Sequence, residues 1–208
     1  SYDGPGNLST SRYGQNFKKY DEIINSNILK LRLEKFSFGI LAVVSTSNIT
    51  RLKDVLNWAI DKNVERITFV PLVKSNYKKV DFVTEQEYKT ELSKLYKAWV
   101  ENKLYKQIDI CNFSTLTDNI TESSRHFMCR KHKCGAEGDQ LAFDINGDIY
   151  PCDYYVGSGQ LILGNVYKDS MNSLKRLKDN CYKSFDSDFP DCKICSFLSI
   201  CGSCLFQM

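Results

Sequence analysis

No apolar run in the 208 residues approaches the ~20 needed to cross a bilayer as a helix, so no membrane partner is expected. Net charge is nearly absent too. Lys+Arg 28 against Asp+Glu 25 leaves +3, with the lysines scattered rather than massed, which argues against a nucleic-acid partner. There is no secretory leader pattern and no initiating methionine; the chain opens on Ser-Tyr-Asp-Gly-Pro-Gly, which is loop chemistry, and is expected to be a piece that starts mid-protein. No internal repeat and no low-complexity tract breaks it up. Cysteine is scarce before residue 128, where Cys111 stands alone, and dense after it, with eight of the nine. A secreted disulfide scaffold spreads an even number of cysteines through a short chain, and this chain does not. A reduced, cytoplasmic setting and soft-metal ligation are therefore expected. Hydrophobic residues at 42% and aromatics at 12% leave enough to bury a real core.

The cysteine-poor half alternates helix and strand patterns. Asn16 to Asn27 reads as a helix with Phe17, Tyr20, Ile23 and Ile24 on one face. Phe36 to Val44 (FSFGILAVV) is a β-branched apolar run of the kind buried on both faces of a parallel sheet. Asn48 is placed to cap a helix carrying Leu52, Val55, Leu56 and Ala59. Arg66 to Leu72 is a second buried strand. Thr84-x-x-Glu87 predicts a capping box for a helix to about Asn102, with Leu92, Leu95 and Trp99 inward. Repeats of this size imply right-handed βα units in a parallel sheet or barrel.

From about Cys111 helical periodicity fades. Leu141–Ile145 and Asp148–Pro151 flank Asn146-Gly147, a hairpin signal that calls for positive φ at both turn residues. Asp169 to Lys178 reads as a short amphipathic helix. The thiols follow the spacing Cys129-x4-Cys134-x12-Gly147-x4-Cys152, then Cys192-x2-Cys195-x5-Cys201-x2-Cys204. Thiolates two residues apart reach one metal centre from a single turn of loop. On spacing alone, structural zinc knuckles and iron–sulfur ligation both remain open. Cys111 and Cys181 fit no ligand spacing and read as buried, inert thiols. His126 and His132 flank Cys129 and read as surface residues.

The stretch CGAEGDQLAFDINGDIYPCDYYVGSGQLILGNVY resembles the SPASM region at the C-terminus of many radical S-adenosylmethionine (SAM) enzymes. Cys134, Gly147, Cys152, Cys192, Cys195 and Cys201 match its pattern in place. The Asn-Gly-Asp-Ile-Tyr-Pro-Cys-Asp run, Leu163-Gly164-Asn165 and the upstream Cys129 look most like anaerobic sulfatase-maturating enzymes, or related peptide-modifying maturases. Ser1-Tyr2-Asp3-Gly4-Pro5 resembles the S-x-D-G-P segment at the end of the fourth barrel strand of these proteins, and Val43 to Asn48 the end of their fifth. The family's C-x3-C stands here as Cys201-x2-Cys204. Its CxxxCxxC loop and its last cysteine are not among these residues.

The resemblance implies an α/β fold: the C-terminal part of a partial (β/α) barrel over 1–110, then a SPASM domain over 111–208. It implies two auxiliary [4Fe–4S] clusters, one on Cys129, Cys134, Cys152 and Cys204, the other on Cys192, Cys195 and Cys201 with a ligand past residue 208. A third, SAM-binding cluster would lie outside this stretch. SAM would meet Ser1, Asp3 and Arg12, and Asp153 would accept the substrate's proton; that Asp153 merely caps a loop stays open. The intact enzyme would cleave SAM to a 5′-deoxyadenosyl radical and oxidise a peptide or protein side chain. Its electrons would come from a donor such as ferredoxin or flavodoxin, and this stretch alone would be inactive. A non-enzymatic zinc or iron–sulfur module for binding or electron transfer is the rival expectation.

Overall fold

The computed structural model describes residues 1–72, 82–121, 140–157, 161–170, 172 and 194–197. The chain divides into two compact units, Ser1–Ser114 and Thr115–Met208. The predicted helix over 169–178 lies almost wholly outside the described residues.

The first unit opens with a loop, a single helical turn α1 (Thr10–Tyr13) and the long helix α2 (Phe17–Leu33). A parallel sheet follows, ordered β1 (Gly39–Val44), β2 (Arg66–Pro71) and β3 (Asp109–Ile110). Helix α3 (Leu52–Asp61) connects β1 to β2, and α4 (Glu85–Glu101) lies between β2 and β3. The expected βα units are therefore present, with Ala42 opposite Phe69 in the β1–β2 ladder. One core gathers Ala42, Val44, Leu52, Val55, Leu56, Ile67, Phe69, Leu95 and Ile110. Fully burying a side chain of this kind stabilises the unit by roughly 1.5–3 kcal/mol. The helical spacing Leu52, Val55, Leu56, Ala59 buries as read from the sequence.

The sequence misplaced several details, each for a physical reason. β1 starts at Gly39, and Leu41 is 44% exposed, because the described residues pack against only one face of the strand. On α2 the inward residues are Phe17, Asp21, Ile24 and Ile28, while Tyr20 and Ile23 face out. Asp21 turns the helix this way because its carboxylate accepts from the Tyr2 hydroxyl and the Gly6 N–H. Tyr20 stacks instead on Tyr13, ring centroids 4.3 Å apart. Where periodicity fades, a further helix α5 (Cys111–Ile120) forms. Its buried residues Cys111, Asn112 and Phe113 are consecutive, so no 3.6-residue pattern marks it. Cys111 sits at 5% exposure, and burial pushes its thiol pKa up.

The capping box on α4 forms as predicted: Glu87 N–H donates to Thr84 Oγ1 at 3.2 Å and Thr84 N–H donates to Glu87 Oε2 at 2.8 Å. The bond from the Thr84 backbone, then that from its hydroxyl, hold the Glu87 carboxyl below its usual pKa. A carboxyl depressed in the folded state contributes stability above its unfolded pKa of about 4.3, and loses it as pH falls through the lowered value. Urea midpoints from neutrality down through that window should therefore fall further for the native protein than for Glu87→Gln. Parallel curves would show that the carboxylate adds nothing to the cap.

The second unit contains a small antiparallel sheet, β4 (Ala142–Phe143), β5 (Asp148–Tyr150) and β6 (Gly164–Asn165), in that order. The Asn-Gly hairpin exists, with Phe143 opposite Ile149. Its turn differs from expectation: Gly147 alone takes positive φ, +82°. Asp144 makes this possible, because its Oδ1 accepts from Asn146 N–H at 2.8 Å and Asp148 N–H at 3.0 Å.

Candidate functional site

In the first unit, Ser1, Asp3 and Arg12 come together beside β1. The chain at 1–3 hangs on that strand: Tyr2 N–H donates to Leu41 O at 2.9 Å, and Val43 N–H donates to Asp3 Oδ1 at 2.9 Å. Arg12, from α1, grips Asp3 with two parallel bonds, Nε to Oδ2 at 2.8 Å and Nη2 to Oδ1 at 3.0 Å. Nη2 also donates to Ser1 Oγ at 3.0 Å. The Asp3 carboxylate is nearly buried, and its bond raises the guanidinium pKa, so Arg12 stays a fixed cation. About a third of the Arg12 side chain remains exposed, at 33%. The Arg12 guanidinium and the Ser1 hydroxyl, which also donates to Leu41 O at 3.0 Å, form a partly exposed polar group beside β1, and a cation there suits a ligand with an anionic end.

Three features of this site differ from, or go beyond, the sequence reading. Asn48 does not cap a helix with its side chain. Its Nδ2 donates to Asp3 O at 2.9 Å and Val43 O at 2.8 Å, and its Oδ1 accepts from Ser45 N–H at 2.9 Å. Hydroxyls of Ser11, Ser45 and Ser47 meet in a triangle with sides of 2.8–3.1 Å. Asp21 reaches the loop from behind, as described above. The contacts from Asn48 to Asp3, from Ser11 to Ser45 and Ser47, and from Asp21 to Tyr2 and Gly6 join residues 15 to 45 apart, which local pattern reading does not see.

In the second unit, β5 delivers Cys152 at its exit, half-buried, into a short helical turn Asp153–Tyr155. The Cys152 thiol donates to Asp153 Oδ1 at 3.0 Å. The turn itself is closed by backbone bonds, Tyr155 N–H to Cys152 O and Val156 N–H to Asp153 O, both 3.1 Å. β6 braces the hairpin through Asn165, whose Nδ2 donates to Asn146 O at 3.0 Å and Asp148 Oδ1 at 2.8 Å. Cys195 is exposed between the exposed Ile194 and Phe197. The remaining predicted ligands Cys129, Cys134, Cys192, Cys201 and Cys204 lie outside the described residues. Among the described residues no three potential ligands gather. At the two described positions the donors are soft thiol sulfurs, one of them set by a rigid strand end, which fits iron–sulfur ligation.

Residues 134–204 match the SPASM family, an iron–sulfur cluster-binding domain. The match covers 71 of the 208 residues, about a third of the chain. Its curated relatives include the cysteine-type anaerobic sulfatase-maturating enzyme of Clostridium perfringens (strain 13 / Type A), 26% identical over 182 residues, which cover 82% of this chain and 47% of the relative. The enzyme of the same name from Clostridium novyi (strain NT) is 23% identical over 189 residues, 86% of this chain and 49% of that one. The chain thus spans about half the length of these relatives. Among solved structures, histidine-tagged anSMEcpe with bound AdoMet superposes with a TM-score of 0.74 at 22% identity, over 97% of this chain and 54% of that one. Streptococcus suis SuiB gives 0.57 at 16% identity, over 88% and 45%. The likeness shows the fold: α/β, a partial barrel followed by a SPASM domain, as expected. The resemblance to radical SAM/SPASM maturases is likewise borne out. No described helix is long and apolar enough to cross a membrane.

Proposed function

We propose that this SPASM-bearing chain contributes to a radical SAM enzyme that oxidatively modifies a peptide or protein side chain, as in sulfatase or peptide maturation. The observation that carries the reading is the SPASM match over 134–204, in a chain whose other unit groups Ser1, Asp3 and Arg12 beside β1. In this reading 1–110 forms the barrel part and 111–208 the cluster domain. Bound SAM supplies the hydrogen-abstracting power, drawn from its own cluster and a donor such as ferredoxin or flavodoxin. The chain's residues do the rest. Arg12 and Ser1 hold the ligand's polar end, with Asp3 fixing Arg12. Cys129, Cys134, Cys152 and Cys204 serve one auxiliary [4Fe–4S] cluster, and Cys192, Cys195 and Cys201 a second. Asp153 takes up the substrate's proton. The curated relatives' names and a solved anSMEcpe structure with bound AdoMet and Cp18Cys peptide support a peptide substrate.

Anaerobic reconstitution with iron and sulfide tests the cluster assignment directly. The native protein should show the broad visible absorbance of iron–sulfur clusters. Cys152→Ala and Cys195→Ala should each remove about half of the auxiliary iron, and the double variant nearly all. A colourless protein that retains stoichiometric zinc would overturn the reading. Loss of the same cluster in both single variants would show the two ligand sets to be wrongly divided.

A further inference from the structure

We propose that Asp21 is a positioning residue for SAM: its one carboxylate clamps the chain on both sides of Asp3, at Tyr2 and at Gly6. The inference rests on the reading of Ser1, Asp3 and Arg12 as the SAM-binding group. Successive residues of an extended segment point to opposite sides. Ser1 and Asp3 point to Arg12, so Tyr2 between them points the other way. There it is buried to 2% exposure, with its ring 4.6 Å from Trp58 and its hydroxyl donating to Asp21 Oδ1 at 2.6 Å. The other Asp21 oxygen accepts from Gly6 N–H, past the turn at Gly4. Gly4 has φ of +125°, and a Cβ there would lie 2.8 Å from Val55, so the loop threads tightly against α3. Between these two anchors the chain has little freedom, and Asp3 holds Arg12 at a fixed angle.

The chemistry of the clamp needs a carboxylate. Tyr2 and Gly6 both offer donors, and an ionised carboxylate gives each an acceptor and strengthens both bonds. An amide at the same place has one acceptor oxygen and turns its NH2 toward the other donor. Helix α2 thereby acts on a ligand site that none of its side chains needs to touch.

Equilibrium dialysis of SAM against the full-length, cluster-loaded protein tests this, with thermal unfolding measured beside it. Asp21→Asn should weaken SAM binding by about tenfold at a temperature well below unfolding. Tyr2→Phe, which loses one of the two anchors, should weaken it by about threefold. In turnover assays the loss should fall on KM for SAM more than on kcat. Asp21→Glu, which keeps both acceptors, should recover part of the affinity. A lowered melting temperature with unchanged SAM affinity in Asp21→Asn would overturn the proposal, provided Arg12→Ala and Ser1→Ala do weaken binding. If those two also bind SAM normally, the site assignment itself has failed.

Discussion

Asp153→Asn in the full-length enzyme should cut product formation by about 10²–10⁴-fold, the usual cost of removing a general base, while SAM cleavage uncoupled from product persists. The geometry makes the substitution clean. The turn after Cys152 is closed by the backbone carbonyls of Cys152 and Asp153, and no side chain caps it. The Asp153 carboxylate accepts from the Cys152 thiol, 3.0 Å away. A sulfur that ligates iron has no proton to give, so ligation would release the carboxylate for other work. Asparagine keeps the shape and cannot take up a proton. If Asp153 only ordered the loop, the variant would keep most of its rate. If it ordered Cys152 itself, iron content and rate would fall together, and quantifying iron alongside product separates these outcomes.

Asn48→Ala should be among the costly polar substitutions in the first unit. Asn48 is 1% exposed, and its amide serves three backbone groups at once: Ser45 N–H, Asp3 O and Val43 O. Truncation strands all three, the Ser45 N–H and Asp3 O in buried positions and the Val43 O in a part-buried one, at about 1–3 kcal/mol for each buried group. Denaturant unfolding should show a loss of about 3 kcal/mol or more, large against the total stability of a typical domain. Asn48→Asp should not rescue it, because the two donors are lost and a charge is buried in their place. A loss below about 1 kcal/mol would mean that water or neighbouring groups replace those bonds. If Ser1, Asp3 and Arg12 hold SAM as proposed, its affinity should fall along with stability, because Asp3 O is one of the three.

What the sequence made legible was periodic or punctuated. The α3 stripe, the Thr84–Glu87 box, the β2 run and the Asn146-Gly147 hairpin each carry a local signature, and each formed. The thiol spacing pointed only to metal ligation; the resemblance of the stretch around Cys134–Cys152 pointed to SPASM, and the family match over 134–204 agrees. What stayed hidden were polar side chains bonding across long separations. Asp21, Asn48 and Asn112 look like ordinary helix or loop residues, yet reach 19, 45 and 43 residues away. The same blindness caused the misreadings. Tyr20 and Ile23 look inward-facing until Asp21 is known to be held, and Gly147 looks like half of a paired turn until Asp144 is seen to supply the bonds.

Asn112 carries a consequence for how the sheet ends. β3 pairs with β2 over only two residues, Asp109 with Arg66 and Ile110 with Ile67, before the chain turns into α5. The next residue of β2 with its amide on that side is Phe69, whose N–H and C=O would be left open. Asn112 fills the gap: its Oδ1 accepts from Phe69 N–H and its Nδ2 donates to Phe69 O, both at 2.8 Å. The Tyr88 hydroxyl adds a bond to the same carbonyl at 2.7 Å. Two residues on stands Pro71, which has no N–H to offer. An unpaired strand edge invites a foreign strand to add to it, the first step of edge-to-edge aggregation. Here a side-chain amide mimics the peptide group of the missing strand and a proline removes the next donor, so where β3 stops short β2 offers a foreign strand no open N–H at Phe69 or Pro71.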